Sequence, residues 1–212
     1  MKKISVRRFK NGDEAAVSDV IGTTLSVSNR KDYSSGFIEE NIRSHSPQVI
    51  ASRAKESHFY VAVDDKKIIG CGGITGYWGS TEESYLISVF VLPDYQGKGV
   101  GRKIIEALEA DEYFLRARRT EVGSSLTAVN FYRKMGYEYK NGVTTPDESG
   151  VVRLEKNESG QSIKSYRSES IYDKTPAVQV KCRCYSVVSD RVGFSKLTVL
   201  QYIRKAGCPF TT

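Results

Sequence analysis

The chain has 212 residues, of which 39% are hydrophobic, and it carries a formal net charge of +7. That is enough apolar material for one substantial domain with its own core, so neither a disulfide framework nor a structural metal is needed to hold it. No stretch approaches the ~18–20 apolar residues of a membrane span. The basic start, Met1-Lys2-Lys3-Ile4-Ser5-Val6-Arg7-Arg8, has no apolar run behind it of the kind a secretory signal needs. Four cysteines are spread through the sequence. Cys71 sits in an apolar run and reads as a small core residue. Cys182, Cys184 and Cys208 lack zinc-site spacing, and His45 and His58 are distant in sequence, so no metal is expected. Reduced thiols point to the cytoplasm. The charge is uneven: residues 158–212 hold nine Lys/Arg against four Asp/Glu, whereas residues 1–157 hold 23 against 21. A basic tail reads first as a solvated face, and without a nucleic-acid-binding motif beside it no nucleic-acid partner is expected.

In chain order, residues 4–8 read as a first strand. Asp13 is placed to cap a helix reaching about residue 27, with apolar positions at Ala16, Val17, Val20, Ile21 and Leu25. A polar, turn-rich segment at 28–35 precedes a short helix near 37–43. Residues 58–63 and 67–74 read as strands joined by Asp64-Asp65-Lys66, a hairpin signal. Residues 83–92 form the next strand, followed by a helix to about 110, a strand at 119–122 and a helix at 125–135 that Gly136 is placed to end. Strands near 137–140 and 151–155 complete the order βααβββαβαββ, a mixed α/β (α+β) pattern. Beyond it, Ser159, Ser162, Ser165, Ser168 and Ser170 mark a serine-rich linker. Residues 178–188 alternate like a strand, and 195–205 have helical spacing. The division expected is a domain at 1–157 and a basic extension at 158–212, which packs on the domain, forms a homodimer contact or stays an appendage.

Residues 91–103 carry the strongest functional signal. The apolar run at 86–92 is ended by Pro93 and Asp94, and Gly97, Gly99 and Gly101 then lead straight into the helical pattern beginning at Ile104. Glycines at a strand-to-helix turn leave backbone N–H groups uncovered at the positive end of a helix dipole, an arrangement suited to phosphate. Lys98, Arg102 and Lys103 add positive charge at the same spot. The nucleoside-triphosphate loop fails here, because its Gly-Lys position falls on Arg102. The dinucleotide fingerprint also fails, because its third glycine falls on Arg102 and several strands come before it.

Gln96-Gly97-Lys98-Gly99-Val100-Gly101 instead resembles the Q/R-x-x-G-x-G/A signature of the GNAT superfamily of acyl-CoA-dependent N-acyltransferases. Residues 124–137, from Ser124-Ser125 through Asn130-Phe131-Tyr132 to Gly136-Tyr137, resemble that family's A-S-x-x-A-x-x-F-Y-x-x-x-G-F/Y segment. The resemblance spans about residues 3–156. It implies a mostly antiparallel central sheet flanked by helices, with the fourth and fifth strands splayed apart, and acetyl-CoA as cofactor. It places pyrophosphate on the amides of Gly97, Lys98, Gly99, Val100, Gly101 and Arg102, next to Gln96. The pantetheine arm would run beside Val89, Phe90 and Val91, and Ser125 would help hold it. Tyr132 becomes the expected acid that protonates the departing thiolate.

The expected base is less direct. A position often acidic in the family falls on Tyr85, and Glu83, two residues earlier on the same strand face, is the candidate; Glu82 and Glu121 stand in reserve. The segment 28–33 and the pair Tyr77-Trp78 fall where the family builds its acceptor pocket, for a small-molecule or peptide amine. The function implied is acetyl transfer to a primary amine by direct attack. The alternative is a non-catalytic acyl-CoA-binding sensor of the same fold, and the two separate on whether Tyr132 matters for turnover.

Overall fold

The computed structural model describes residues 4–157. Its strands are β1 (Ser5–Arg8), β2 (His58–Asp64), β3 (Lys67–Gly76), β4 (Glu83–Val91), β5 (Arg119–Ser124), β6 (Glu138–Tyr139) and β7 (Val152–Asn157). Its helices are α1 (Glu14–Ser28), α2 (Ser35–Arg43), α3 (Pro47–Glu56), α4 (Val100–Glu109), α5 (Glu112–Leu115) and α6 (Val129–Lys134). The strands form one sheet in the order β1-β2-β3-β4-β5-β7-β6. Every neighbouring pair is antiparallel except β4 and β5, which run parallel. The mixed, mostly antiparallel sheet expected from the sequence is the one observed. The linker, the extension and the elements expected at 178–188 and 195–205 lie outside the described residues.

Each face of the sheet is covered by its own core. On one face Val17, Val20, Ile21 and Leu25 of α1, Ile38 of α2 and Ile50 of α3 pack on Phe59, Val61, Val63, Ile68 and Cys71. On the other, Ile104, Ile105 and Leu108 of α4 and Tyr132 of α6 pack on Ala62, Ile69, Ile74, Leu86, Val122, Val152 and Leu154. Cys71 is wholly buried, and that burial pushes its thiol up to about 12. Gly70 and Gly72 let α4 approach the sheet: a Cβ at either would lie within 2.9 Å or 2.8 Å of Ile104.

Two helices go beyond the sequence reading. In α3, Ser46 accepts from the Val49 amide and Pro47 opens the helix, yet Ile50 is its only buried residue, too thin a stripe for hydrophobic periodicity to reveal. α5 is a single turn capped by Asp111, whose carboxylate accepts from the Tyr113 amide. The helix expected over 125–135 is divided, with a 3₁₀ turn at Leu126–Ala128 ahead of α6.

Two features of β4 shape the site. First, its pairing with β5 covers only Glu83–Arg119, Ser84–Thr120, Tyr85–Glu121 and Leu86–Val122. Beyond Leu86 the two strands separate, while β5 stays paired with β7 to Ser124–Val152. Second, β4 carries a bulge: Ile87 pairs with Gly73 and Phe90 with Cys71, so Ser88 and Val89 together oppose Gly72. Ser88 has a φ of 49°, its hydroxyl accepts from Arg53 Nη1 at 3.1 Å, and its carbonyl accepts from the Cys71 thiol at 3.3 Å.

Candidate active site

The separation of β4 from β5 opens a cleft of about 490 Å³. One wall is the free side of β4 at Val89, Phe90 and Val91, and the opposite wall is Ser125, Thr127, Ala128, Phe131, Tyr132 and Met135. The floor at one end is the turn into α4, with Gln96, Gly97, Gly99, Gly101 and Arg102. Arg102 and Lys134 are the charged residues lining it, and both are cationic.

The glycine turn is open for physical reasons. Gly97 and Gly99 have φ values of 70° and 81°, in the left-handed region that side chains disfavour, and a Cβ on either would meet nothing within 4 Å. The empty space above them is therefore cleft. Gly99 also caps α4 without any side-chain cap, so the first amides of this ten-residue helix remain available. Gly101 serves packing instead, since a Cβ there would press within 3.1 Å of the Phe131 ring.

Of the cofactor-binding residues read from the sequence, Val89, Phe90, Val91, Gln96, Gly97, Gly99, Gly101, Arg102 and Ser125 line this cleft, together with Tyr132. Two do not. Val100 is 1% exposed and points into the α4 core, and Lys98 is an exposed side chain with Nζ 5.6 Å from the Tyr95 ring centre. The sequence reading missed Thr24, and it assigned Ser28 and Asn29 to the acceptor pocket; α1 brings all three to this cleft. Gln96 Nε2 donates to Ser28 Oγ and to the Val91 carbonyl, both at 2.9 Å, and Thr24 Oγ1 lies 3.1 Å from that same carbonyl. These contacts fix the end of α1 to the end of β4.

Tyr132 belongs to both core and cleft. It is 4% exposed, its ring meets Phe131 and Tyr137 edge-on, and it lines the cleft wall. Burial first, and the neighbouring Tyr85 second, push its pKa well above the ordinary phenol range, so it stays protonated at any physiological pH.

Glu83 stands apart from the cleft. Its carboxylate accepts from Arg119 Nε at 2.9 Å, and that hydrogen bond holds its pKa below the ordinary carboxylate range. A base so stabilised in its charged form is a weak proton acceptor, so the role expected of it is one this geometry does not support. Glu121, the reserve, is 2% exposed and accepts from Arg119 Nη1 and Lys140 Nζ, both at 2.7 Å. Glu82 is exposed, with Oε2 3.4 Å from Arg118 Nε. Tyr77, Trp78 and Tyr85 form one aromatic cluster on the α1–α3 face of the sheet, with ring centres 5.3 to 6.1 Å apart. Tyr33, in the 28–33 segment, donates to the Gly150 carbonyl at 2.7 Å and accepts from the Leu126 amide at 3.0 Å. That segment is thereby tied to the loop before β7 and to the turn after β5.

A seven-stranded sheet with a parted central pair and a cationic glycine turn at the mouth of the gap defines an acyltransferase-like fold. Residues 55–139 match the sequence model of the Acetyltransferase (GNAT) domain. Solved structures agree on the fold. The PaiA N-acetyltransferase of Thermoplasma acidophilum, solved in complex with coenzyme A, superposes with a TM-score of 0.64 at 17% identity, over 73% of this chain and 99% of that one. The GCN5-related N-acetyltransferase of Rhodopseudomonas palustris gives 0.60 at 22% identity, over 74% and 97%. A GNAT-family acetyltransferase of Staphylococcus aureus gives 0.56 at 16% identity, over 73% and 99%. No match is found among curated proteins. Among the described residues, no helix is long and apolar enough to cross a membrane.

Proposed function

We propose that this protein is an N-acetyltransferase that moves an acetyl group from acetyl-CoA to a primary amine by direct attack, in the cytoplasmic setting its cysteine usage suggests. The observation that carries the reading is the cleft itself: two open glycines at one end, the cations Arg102 and Lys134 in its lining, and Tyr132 on its wall. That layout fits an anionic, elongated donor such as coenzyme A, the ligand bound in the Thermoplasma structure.

When bound, acetyl-CoA supplies a thioester, an acyl group activated for attack. The chain's own residues supply the rest. The α4 amides behind Gly99, with Arg102 and Lys134, would hold phosphate groups against the helix dipole. The free edge of β4 over residues 87–91 offers backbone N–H and C=O groups that an amide-bearing arm can pair with. An amide aimed at the acyl oxygen as it gains negative charge is typically worth ~3 kcal/mol. Tyr132 holds a proton at its phenolic oxygen for the departing sulfur. Its burial makes it a weaker acid, but the same dry cleft raises the sulfur's proton affinity too, so the two remain matched.

The test has two stages. Ligand at 100 times its Kd adds ~2.7 kcal/mol, or roughly 5–11 °C, in a thermal-shift measurement. Acetyl-CoA and coenzyme A should give such a shift, and NAD should not. Acetyl-CoA-dependent thiol release with a panel of primary amines should then show turnover. Binding without turnover on any amine would turn the reading to the sensor, and a shift with NAD alone would overturn it.

A further inference from the structure

Where β4 and β5 part, the α1–α3 face presents one side chain that the cleft does not account for. Tyr85 is in the last-but-one residue pair joining the strands, opposite Glu121. Its hydroxyl lies directly over Gly123, the first residue of β5 beyond the pairing: a Cβ there would sit 2.7 Å from the phenolic oxygen. Both residues are part-exposed, and the strand register puts the oxygen at the apex of the gap. Arg153 Nη1 donates to that oxygen at 2.8 Å. The guanidinium is itself fixed, with Nε donating to Asp147 at 2.7 Å and Nη1 3.6 Å from Glu121 Oε1. A hydrogen bond from a cation favours the phenolate. The carboxylates beside it, Glu83, Glu121 and Glu155, are all engaged by Arg119, and Lys140 also binds Glu121.

Resting on the acetyl-transfer reading, we propose that Tyr85 is a catalytic residue that takes the proton from the incoming ammonium, and that Arg153 holds its oxygen in place. Phenols titrate near ~10 and alkylammonium groups near ~10.4, so this exchange is close to balanced before Arg153 contributes. In the step, one N–H bond of the ammonium breaks, the electron pair stays on nitrogen, and the proton joins the Tyr85 phenolate. That pair then forms the C–N bond. The second proton shed by nitrogen replaces the one Tyr132 gives to sulfur, so one net proton leaves, through Tyr85 to solvent. The two phenols sit on opposite sides of the gap yet near enough for Tyr85 to raise the pKa of Tyr132.

The test compares two acceptors with the full chain: 2-phenylethylamine, protonated at neutral pH, and methoxyamine, neutral there. Tyr85→Phe should lower kcat for 2-phenylethylamine by about 100-fold, the usual scale of general acid–base catalysis. It should change methoxyamine turnover by less than about threefold and leave coenzyme A affinity unaltered, because the base is dispensable for an amine that arrives neutral. Equal losses with both amines would reduce Tyr85 to a structural role and overturn the assignment. No loss with either would overturn it while leaving acetyl transfer standing. A wild-type protein that binds coenzyme A but turns over neither these amines nor any of the primary-amine panel would overturn both.

Discussion

The two ends of β4 differ in what surrounds them. From Glu83 to Leu86 the strand is paired on both sides, and its α1–α3 face meets an ionic lattice in which Arg119 and Lys140 converge on the buried Glu121. From residue 87 to Val91 it is paired only with β3, and its free side lines a cleft whose charged residues are Arg102 and Lys134. The paired end is held by charges that satisfy one another. At the open end, backbone and cations await a partner of opposite sign. The first arrangement suits stability and the second suits binding, so substitutions at the two ends should separate the two properties.

Gly99→Glu is the sharpest test at the open end. It places a carboxylate in the cradle and a side chain at a φ of 81°, so coenzyme A should cause no thermal shift at a concentration that moves wild type by roughly 5–11 °C. The strained backbone should itself cost only about 1–2 kcal/mol. Tyr132→Phe, on the cleft wall, should lower kcat about 100-fold in a thiol-release assay while coenzyme A affinity stays the same. Unchanged kcat would remove Tyr132 from the chemistry.

Glu121→Ala probes the paired end. It leaves Arg119 and Lys140 without their shared buried carboxylate, a loss of about 3–5 kcal/mol, or roughly 10 °C in melting temperature. Coenzyme A affinity measured below the transition should hardly move. A variant that lost affinity and kept its stability would invert the contrast between the two ends. Glu83→Gln should have the smallest effect. Its ion pair with Arg119 is 34% exposed on the glutamate side, so stability should change by less than ~1 kcal/mol, and kcat should stay within about twofold. A large fall in kcat would restore Glu83 as the base.

How much of this could be read from the sequence depends on how local each feature is. The glycine turn was legible because strand, turn and helix N-terminus all lie within residues 91–103, and the chemistry follows from one contiguous run. Tyr132 was legible through its own segment. Thr24 was not, because it reaches the site by a contact with Val91, 67 residues apart, and nothing in α1 marks it as different from other polar helix positions. The engagement of Glu83 and Glu121 was equally hidden. Their partners come from β5 and from beyond α6, so only the sheet order reveals that the two carboxylates are already satisfied. Lys98 and Val100 show the limit of a motif: it places a backbone turn but does not say which way the side chains point.

The bulge at Ser88 is a change of parity. A strand alternates faces, so Ser84 and Leu86 set one count and the extra residue resets it, sending Val89 and Val91 toward α4 and Phe90 toward α1. Substitutions within residues 86–92 leave that count alone, and the run is apolar enough to tolerate many of them. Deleting Ser88 does not reverse it either: Ile87 and Val89 become consecutive, so Val89 and Val91 still face α4 and Phe90 still faces α1. What goes is the bend, the residue at a φ of 49° that turns β4 just where it leaves β5. The cleft wall is thus written in the length of the strand as well as in its letters, and a descendant of this chain could straighten it through one deleted codon while keeping every motif that announces it.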